Sequence, residues 1–160
     1  MADDLLDAAA ELRARHWQSL DTGETGPAGA GIVARARSTG PLTPATALVF
    51  EEVPLTGNSW VQAADEMNTA WLKAEITNNS CVSTFMAAGA QLFLRVKVNG
   101  SRVPMFGGEG GTSPIWAAFP IDLDPGTAAP RTLTVEASHG CDTSGSFTLN
   151  SIAINVIANR

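Results

Sequence analysis

The stretch that most constrains the fold is QLFLRVKV, residues 91–98, which is followed directly by Asn99-Gly100. Apolar side chains occupy every second position of this run: Leu92, Leu94, Val96 and Val98. Side chains two residues apart in a strand lie on one face, so the run predicts a strand with one buried face. Asn-Gly fits a two-residue hairpin turn, because both turn positions need positive φ. We therefore expect a β-hairpin and an antiparallel sheet.

Two further runs alternate in the same way. In TLTVEA, residues 132–137, the apolar set is Leu133, Val135 and Ala137. In NTAWLKAEIT, residues 68–77, it is Leu72, Ala74 and Ile76. The second run leaves Trp71 on the opposite face, together with Lys73 and Glu75, so Trp71 is predicted to lie outside the core of a single subunit.

The last apolar run, residues 146–158, changes phase part-way. Phe147 and Leu149 share one parity, whereas Ile152 and Ile154 share the other, which predicts a bulge near Asn150 and Ser151. Its nearly continuous apolar character is typical of a central strand.

Together with turn residues between runs, about nine strands are predicted, as in a single antiparallel sandwich. The predicted strands are 45–53, 59–63, 70–77, 81–86, 91–98, 102–106, 115–123, 132–138 and 146–158.

The N-terminal residues, 1–22, have a helical pattern instead. Apolar and aromatic positions fall on one stripe at steps of three and four: Leu5, Ala9, Leu12, His16 and Leu20. Asp4 is a suitable N-cap, and the acids precede the arginines, as the helix dipole favours. A helix of this length is marginal alone. We therefore expect residues 1–22 to form an anchoring helix that buries its stripe against copies of itself or a partner.

A Gly- and Pro-rich stretch, residues 23–44, separates this helix from the β region. Its glycine triplets in GETGPAGAG are too few for a collagen triple helix, which needs a long strict repeat. The stretch also contains a short candidate strand, GIVARARS. We interpret residues 23–44 as a linker and residues 45–160 as the head domain.

Charge and composition exclude several function classes. The 160-residue chain has a net charge of −6, and its ten basic residues are scattered, which argues against a nucleic-acid partner and against binding to anionic membranes. The chain has no apolar run near the roughly 18 residues of a membrane span. Its N-terminus begins with acids and does not resemble a signal peptide. We therefore expect synthesis in the cytoplasm without export by that route.

Three segments contain residue types that catalyse reactions or bind ligands. ASHGCDTSGS brings together His139, Cys141 and Asp142, but between two strands it is better read as a hairpin than as a thiol or metal site. FGGEGGTS, residues 106–113, lacks the Gly-Lys-Ser/Thr ending of a phosphate loop. IDLDPG has Asp122 and Asp124 but not the remaining ligands of a calcium loop. The sequence thus predicts no catalytic residues, no metal and no cofactor.

The cysteines and tryptophans leave alternatives open. Cys81 and Cys141 lie on or beside predicted strands; a disulfide is conceivable, but separate buried thiols are the default in a reducing compartment. A virion protein, which ends outside the cell, favours the bridge more. Trp60, Trp71 and Trp116 are candidates for a subunit or glycan surface, with core packing the alternative for at least one.

The order AWLKAEIT, QLFLRVKVNGSRV, TLTVEAS and GSFTLNSIAINVI resembles the jelly-roll heads of the tumour-necrosis-factor and complement globular-head superfamily. Such heads are found in fibre, spike and minor tail proteins of tailed bacteriophages. The resemblance covers residues 45–158 and implies an all-β jelly-roll sandwich that trimerises. It also implies an N-terminal anchor in the particle and a head displayed at the virion surface, which either decorates the particle or binds host glycans.

The leading hypothesis is therefore a non-enzymatic structural protein of a bacteriophage-like virion. It would be a homotrimeric fibre, spike, decoration or minor tail component, held to other virion proteins by its N-terminal helix. The alternative is a carbohydrate-binding module or adhesin head that recognises host cell-surface glycans. A weaker third hypothesis is a hydrolase that uses His139 and Cys141.

Overall fold

The computed structural model describes residues 30–64, 66–83, 91–104, 113–121, 127–142 and 144–159. All helical or strand structure in these ranges is β-strand, which confirms the predicted all-β class for this part of the chain. The predicted helix, with its stripe Leu5, Ala9, Leu12, His16 and Leu20, lies outside the described residues. The strands are β1 Ala30–Ser38, β2 Glu51–Val53, β3 Leu55–Thr56, β4 Ser59–Gln62, β5 Met67–Asn79, β6 Leu92–Val98, β7 Ser101–Arg102, β8 Ile115–Ile121, β9 Ala129–His139 and β10 Ser146–Asn159.

The strands form two antiparallel sheets. The first sheet has the order β3-β1-β10-β5-β8, and the second has the order β2-β9-β6-β7, with β4 also paired to β9. The long strands alternate between the two sheets along the chain: β5 lies in the first, β6 in the second, β8 in the first, β9 in the second and β10 in the first. Almost every connection therefore crosses from one sheet to the other.

One apolar core joins the two sheets. Leu72, Phe119 and Ile154 of the first sheet and Leu133 and Val135 of the second belong to the same buried cluster. The inward parities predicted for β5, β6 and β9 are confirmed, because the predicted apolar sets of β5 and β9 are buried throughout and that of β6 is buried except for half-buried Leu94. Alternation is enough to assign these faces, since over each predicted run only one side of the strand is fully buried.

The last strand, β10, confirms both predictions made for it. It lies between β1 and β5, and its register with β5 shifts between Leu149 and Ser151. The extra residue at this bulge lets Phe147 and Leu149 before it, and Ile152 and Ile154 after it, all reach the core.

The Asn99-Gly100 hairpin is also confirmed. Asn99 has φ 49° and Gly100 has φ 81°, and the turn joins β6 to β7. The turn is held to β9 at two points: the Asn99 backbone N–H donates to the Thr132 carbonyl, and the Asn99 Oδ1 accepts from the Thr132 backbone N–H, both at 2.8 Å.

The predicted boundary between linker and head is wrong. Residues 30–38, placed in the linker, form β1, which pairs with β10 from Ala30 to Arg37, with a register shift between Ile32 and Ala34, and with β3. Ala34 and Ala36 are in the core. The candidate strand GIVARARS is thus confirmed as β1, but it belongs to the head, because its small alanine side chains fill the little volume available on the core face beside β10. The head therefore includes residues from Ala30 onward. Three predicted strands also change: residues 45–53 contribute only Glu51–Val53, Cys81–Ser83 is not in a strand, and of the described part of 102–106 only Arg102 is in a strand.

Candidate functional site

The side of the first sheet that points away from the core carries an unusual set of side chains, which we call the outer face. Strand register arranges them in three rows across β1, β10, β5 and β8. The rows are Ile32, Ile157, Thr69 and Pro120; then Arg35, Asn155, Trp71 and Ala118; then Arg37, Ala153, Lys73 and Trp116. Apolar, aromatic and cationic residues are thus collected on one surface.

Trp71 and Trp116 are the aromatic residues of this face. Trp71 is opposite Ala118 and Lys73 is opposite Trp116, so the two tryptophans are diagonal neighbours on adjacent strands. Both are half-buried, and the Lys73 Nζ lies 5.2 Å from the centroid of the Trp116 ring. The structure confirms the predicted outward parity of Trp71. Two half-buried indoles this close can pack against a sugar ring or against apolar side chains.

The centre of the outer face is closed to solvent. Asn155 is 3% exposed and Ile157 is 4% exposed, although both point away from the core between β1 and β5. The Arg37 Nη2 donates to the Asn155 Oδ1 at 3.1 Å, which satisfies one buried amide oxygen. Arg35 and Trp71, on either side of Asn155, both have interaction partners. The face is therefore an engaged surface and not an open patch.

Trp60 does not belong to this surface. It lies on β4, is 7% exposed and belongs to the core, so of the two alternatives left open for it, core packing holds and a subunit or glycan surface does not. Its indole Nε1 donates to the Asn68 Oδ1 at 2.8 Å, and the Asn68 Nδ2 donates to the Glu66 Oε1 at 2.8 Å. The partner amide allows the polar edge of the indole to be buried without an unsatisfied donor.

The hydrogen bonds around Trp60 continue into a buried polar cluster that the sequence did not reveal. The Gln62 Nε2 donates to the Glu66 carbonyl, and the Arg131 Nε donates to the Gln62 Oε1 at 2.8 Å. Gln62, Glu66 and Asn68 are all buried. The available signal was the alternation of Trp60 and Gln62 in SWVQ, which places a polar residue on the buried face. The cluster links β4, β5 and β9. Its hydrogen bonds pair buried polar groups with one another, so its role is structural.

Cys81 and Cys141 form a disulfide with a Cα–Cα distance of 5.2 Å. The structure therefore contains the bridge and not the two separate thiols that the sequence favoured. Since the Cys141 sulfur is bonded, it cannot act as a nucleophile in this structure, and the thiol chemistry of the third hypothesis is not available. His139 is buried, and its Nδ1 accepts a hydrogen bond from the Cys141 backbone N–H at 3.2 Å.

The outer side of the second sheet has a compact charge cluster. The Glu136 carboxylate accepts from the Lys97 Nζ at 2.6 Å and from the Arg95 Nη1 at 3.3 Å. The hydrogen bond from Lys97, followed by the nearby positive charges, lowers the pKa of Glu136 below its usual value, although partial burial opposes the shift. The Arg95 guanidinium carbon lies 3.7 Å from the Phe50 ring centroid. This cluster joins β6 to β9 and is a stabilising element of the sheet.

The remaining candidate segments fall largely outside the described residues. These are FGGEGGTS, apart from Ser113, and the acidic pair Asp122 and Asp124. Among the residues that are described, no group of three or more His, Cys, Asp or Glu side chains is placed to hold a metal ion. The same part of the chain contains no helix with the length and apolarity needed to cross a membrane.

Comparison with known proteins gives no relative: no family model matches the chain, and no curated protein has a similar sequence.

Proposed function

We propose that the chain is a non-enzymatic structural protein of a bacteriophage-like particle, with a jelly-roll head displayed at the virion surface as a homotrimer. In this proposal residues 1–22 hold the head to other virion proteins. The fibre, spike, decoration and minor tail positions all suit such a molecule. The observation that supports the jelly-roll most directly is the alternation of β5, β6, β8, β9 and β10 between two antiparallel sheets. Double-sheet jelly rolls, built from two Greek keys, have this kind of connection.

The outer face supports a role in association. Trp and Arg are enriched where proteins bind one another. Here Trp71, Trp116 and Arg35 share one surface, opposite the core.

The trimer is tested by light scattering coupled to size exclusion, on the full-length protein over a range of concentrations. We expect a mass three times the 16.6 kDa of one chain. A monomer at every concentration would contradict the trimer. The virion role is tested separately, by probing purified particles for the protein and by inspecting the neighbouring genes, where capsid, portal or tape-measure genes are expected.

The second candidate function is glycan binding, favoured by the diagonal arrangement of Trp71 and Trp116 on adjacent strands. A glycan array with the full-length protein gives the direct test. We expect Trp116→Ala and Trp71→Ala to weaken binding about tenfold or more, as removal of a central aromatic contact does. Arg102→Ala, an exposed change on β7 of the other sheet, is the matched control and should bind like the wild type. No binding by the wild type leaves decoration or assembly as the role of the head.

A further inference from the structure

We infer that the outer face of the first sheet is the docking surface for this chain's own N-terminal segment, residues 3–20, which lies across it as an amphipathic helix. The inference bears on the proposed function, because the docked segment covers part of the surface that association or glycan binding would use. It concerns the rows that contain Ile157 and Asn155, the two buried residues at the centre of the face.

The first argument is burial. In a two-sheet sandwich the outer side of each sheet faces solvent unless another layer covers it. Ile157 has Ile32 and Thr69 beside it, both only half-buried, yet Ile157 itself is 4% exposed. Flanking side chains of this size shield the sides of an isoleucine, but its end needs a covering group. A layer above the centre of the face accounts for both Ile157 and Asn155.

The second argument is position. The N-terminal segment enters the sheet at Ala30, which pairs with Asn159. Asn159 is two residues after Ile157 on β10, and is therefore the next position along the same face of that strand. Residues 21–29 can span up to about 30 Å when extended, and a helix over residues 3–20 is about 27 Å long. The four strands of the face are about 14 Å across at a spacing of about 4.8 Å. The segment can therefore turn back at Ala30 and lie over the centre of the face.

The third argument is chemical complementarity. The stripe of the predicted helix offers apolar side chains to the Ile157 row and to Trp71: Leu5, Ala9, Leu12, His16 and Leu20. On the predicted helix, Asp3, Asp4, Asp7 and Glu11 lie on the side away from this stripe, so they remain in solvent and the contact with the face is apolar.

If the helix docks on its own head, a virion partner that uses the helix as an anchor must compete with the sheet for it. A helix of this length is marginal alone, and the sheet would stabilise it by burying its stripe. A virion partner that binds the same stripe must then displace the helix from the sheet. Trp116 lies on the edge strand β8, at the margin of the face, and remains beside the docked segment.

Photo-crosslinking of the full-length protein tests the inference. p-Benzoylphenylalanine replaces Leu12 in one variant, and Asp7, on the opposite side of the predicted helix, in the control variant. From position 12 we expect a product at the mass of one chain, with crosslinks mapped to residues 30–37, 67–73 or 153–158. From position 7 we expect the yield of this product to be lower by about fivefold, because the probe would face solvent.

Three results would overturn the inference: equal yields from positions 12 and 7, crosslinks that map to the second sheet, or products found only at the mass of two or three chains. The last would assign the face to a second copy. Failure of the proposed function is distinguishable, because a monomer with the expected internal crosslink contradicts the trimer while supporting the docked segment.

Discussion

Cys81, just after β5, is bonded to Cys141, just after β9, so that one covalent bond ties together chain segments from the two sheets. The two cysteines are 60 residues apart in sequence. In the chain-entropy treatment a loop of that size stabilises the folded state by about 4 kcal/mol. We therefore predict that reduction, or the double change Cys81→Ser with Cys141→Ser, lowers the denaturant midpoint and the melting temperature substantially.

The double serine variant is also the control for this prediction. These are the two cysteines of the chain, so a reductant has no other target. Thermal melts with and without reductant should differ for the wild type and coincide for the variant. Unchanged wild-type melting, with two free thiols measured in the same sample, would contradict a stabilising bridge.

The Glu136 carboxylate should make stability depend on pH in the acid range. Its pKa in the folded protein is lowered, chiefly by the hydrogen bond from Lys97. The contribution is therefore fully present above the unfolded-state pKa of about 4.3 and is lost as the pH falls through the lowered folded-state pKa. We expect Glu136→Gln to lower the free energy of unfolding by about 1 kcal/mol at neutral pH, since the carboxylate is only 19% exposed. At acid pH, where the wild-type carboxylate is protonated, the same substitution should change the free energy of unfolding little.

Urea unfolding of the wild type and of Glu136→Gln, measured from pH 7 to pH 3, checks this pH dependence. The matched control is Glu75→Gln, because the Glu75 carboxylate is 52% exposed and its pair with Lys73 is longer, at 3.5 Å. The difference in the free energy of unfolding between wild type and Glu136→Gln should disappear as the pH falls. The corresponding difference for Glu75→Gln should stay small at every pH. A constant gap for Glu136 would mean that the carboxylate stabilises the sheet through packing and not through its charge.

Sequence reasoning worked where one rule determines one feature. Alternation placed Trp71 outside the core and Leu72 inside, since a strand's side chains have a period of two. The Asn99-Gly100 turn and the bulge after Leu149 each follow from a local signal, positive φ in one case and a change of phase in the other.

The features that sequence reasoning missed depend on contacts between distant segments. The sequence leaves Trp60 open between surface and core, because nothing nearby shows that Asn68 accepts its indole hydrogen bond inside the core. The strand β1 follows from GIVARARS, but its place in the head does not, because its core face uses only Ala34 and Ala36 against β10. The outer face was missed as a unit for the same reason: register across four strands brings Arg35, Asn155 and Trp71 into one row.

Asn68 should be a sensitive position in the buried polar cluster. Asn68→Leu keeps much of the side-chain volume but removes the acceptor for Trp60 and the donor to Glu66. Leaving buried polar groups unsatisfied costs about 1–3 kcal/mol each, so we expect a loss of about 2–4 kcal/mol in the free energy of unfolding. Asn150→Leu, at an exposed residue that bonds only the Thr77 hydroxyl in the described structure, is the control and should cost under about 1 kcal/mol. Urea denaturation followed by far-UV circular dichroism measures both; equal losses would contradict a special role for the cluster.

Two glycines with nearly the same backbone conformation should respond very differently to alanine. Gly100 has φ 81° and Gly145 has φ 79°, so each change carries the cost of about 1 kcal/mol for a side chain in the left-handed region. A Cβ at Gly100 would meet nothing within 4 Å, whereas a Cβ at Gly145 would lie 2.3 Å from the Ser80 carbonyl oxygen. That oxygen belongs to the backbone beside Cys81, held by the disulfide to Cys141, so the segment cannot move away without disturbing the bridge.

We therefore expect Gly145→Ala to destabilise the protein by about 2 kcal/mol or more beyond Gly100→Ala, with thermal and urea unfolding as the measurement. Similar losses of stability for the two variants would show that the chain around Ser80 can move to accommodate the new side chain. In the double serine background, where the disulfide is absent, the extra loss caused by Gly145→Ala should be smaller.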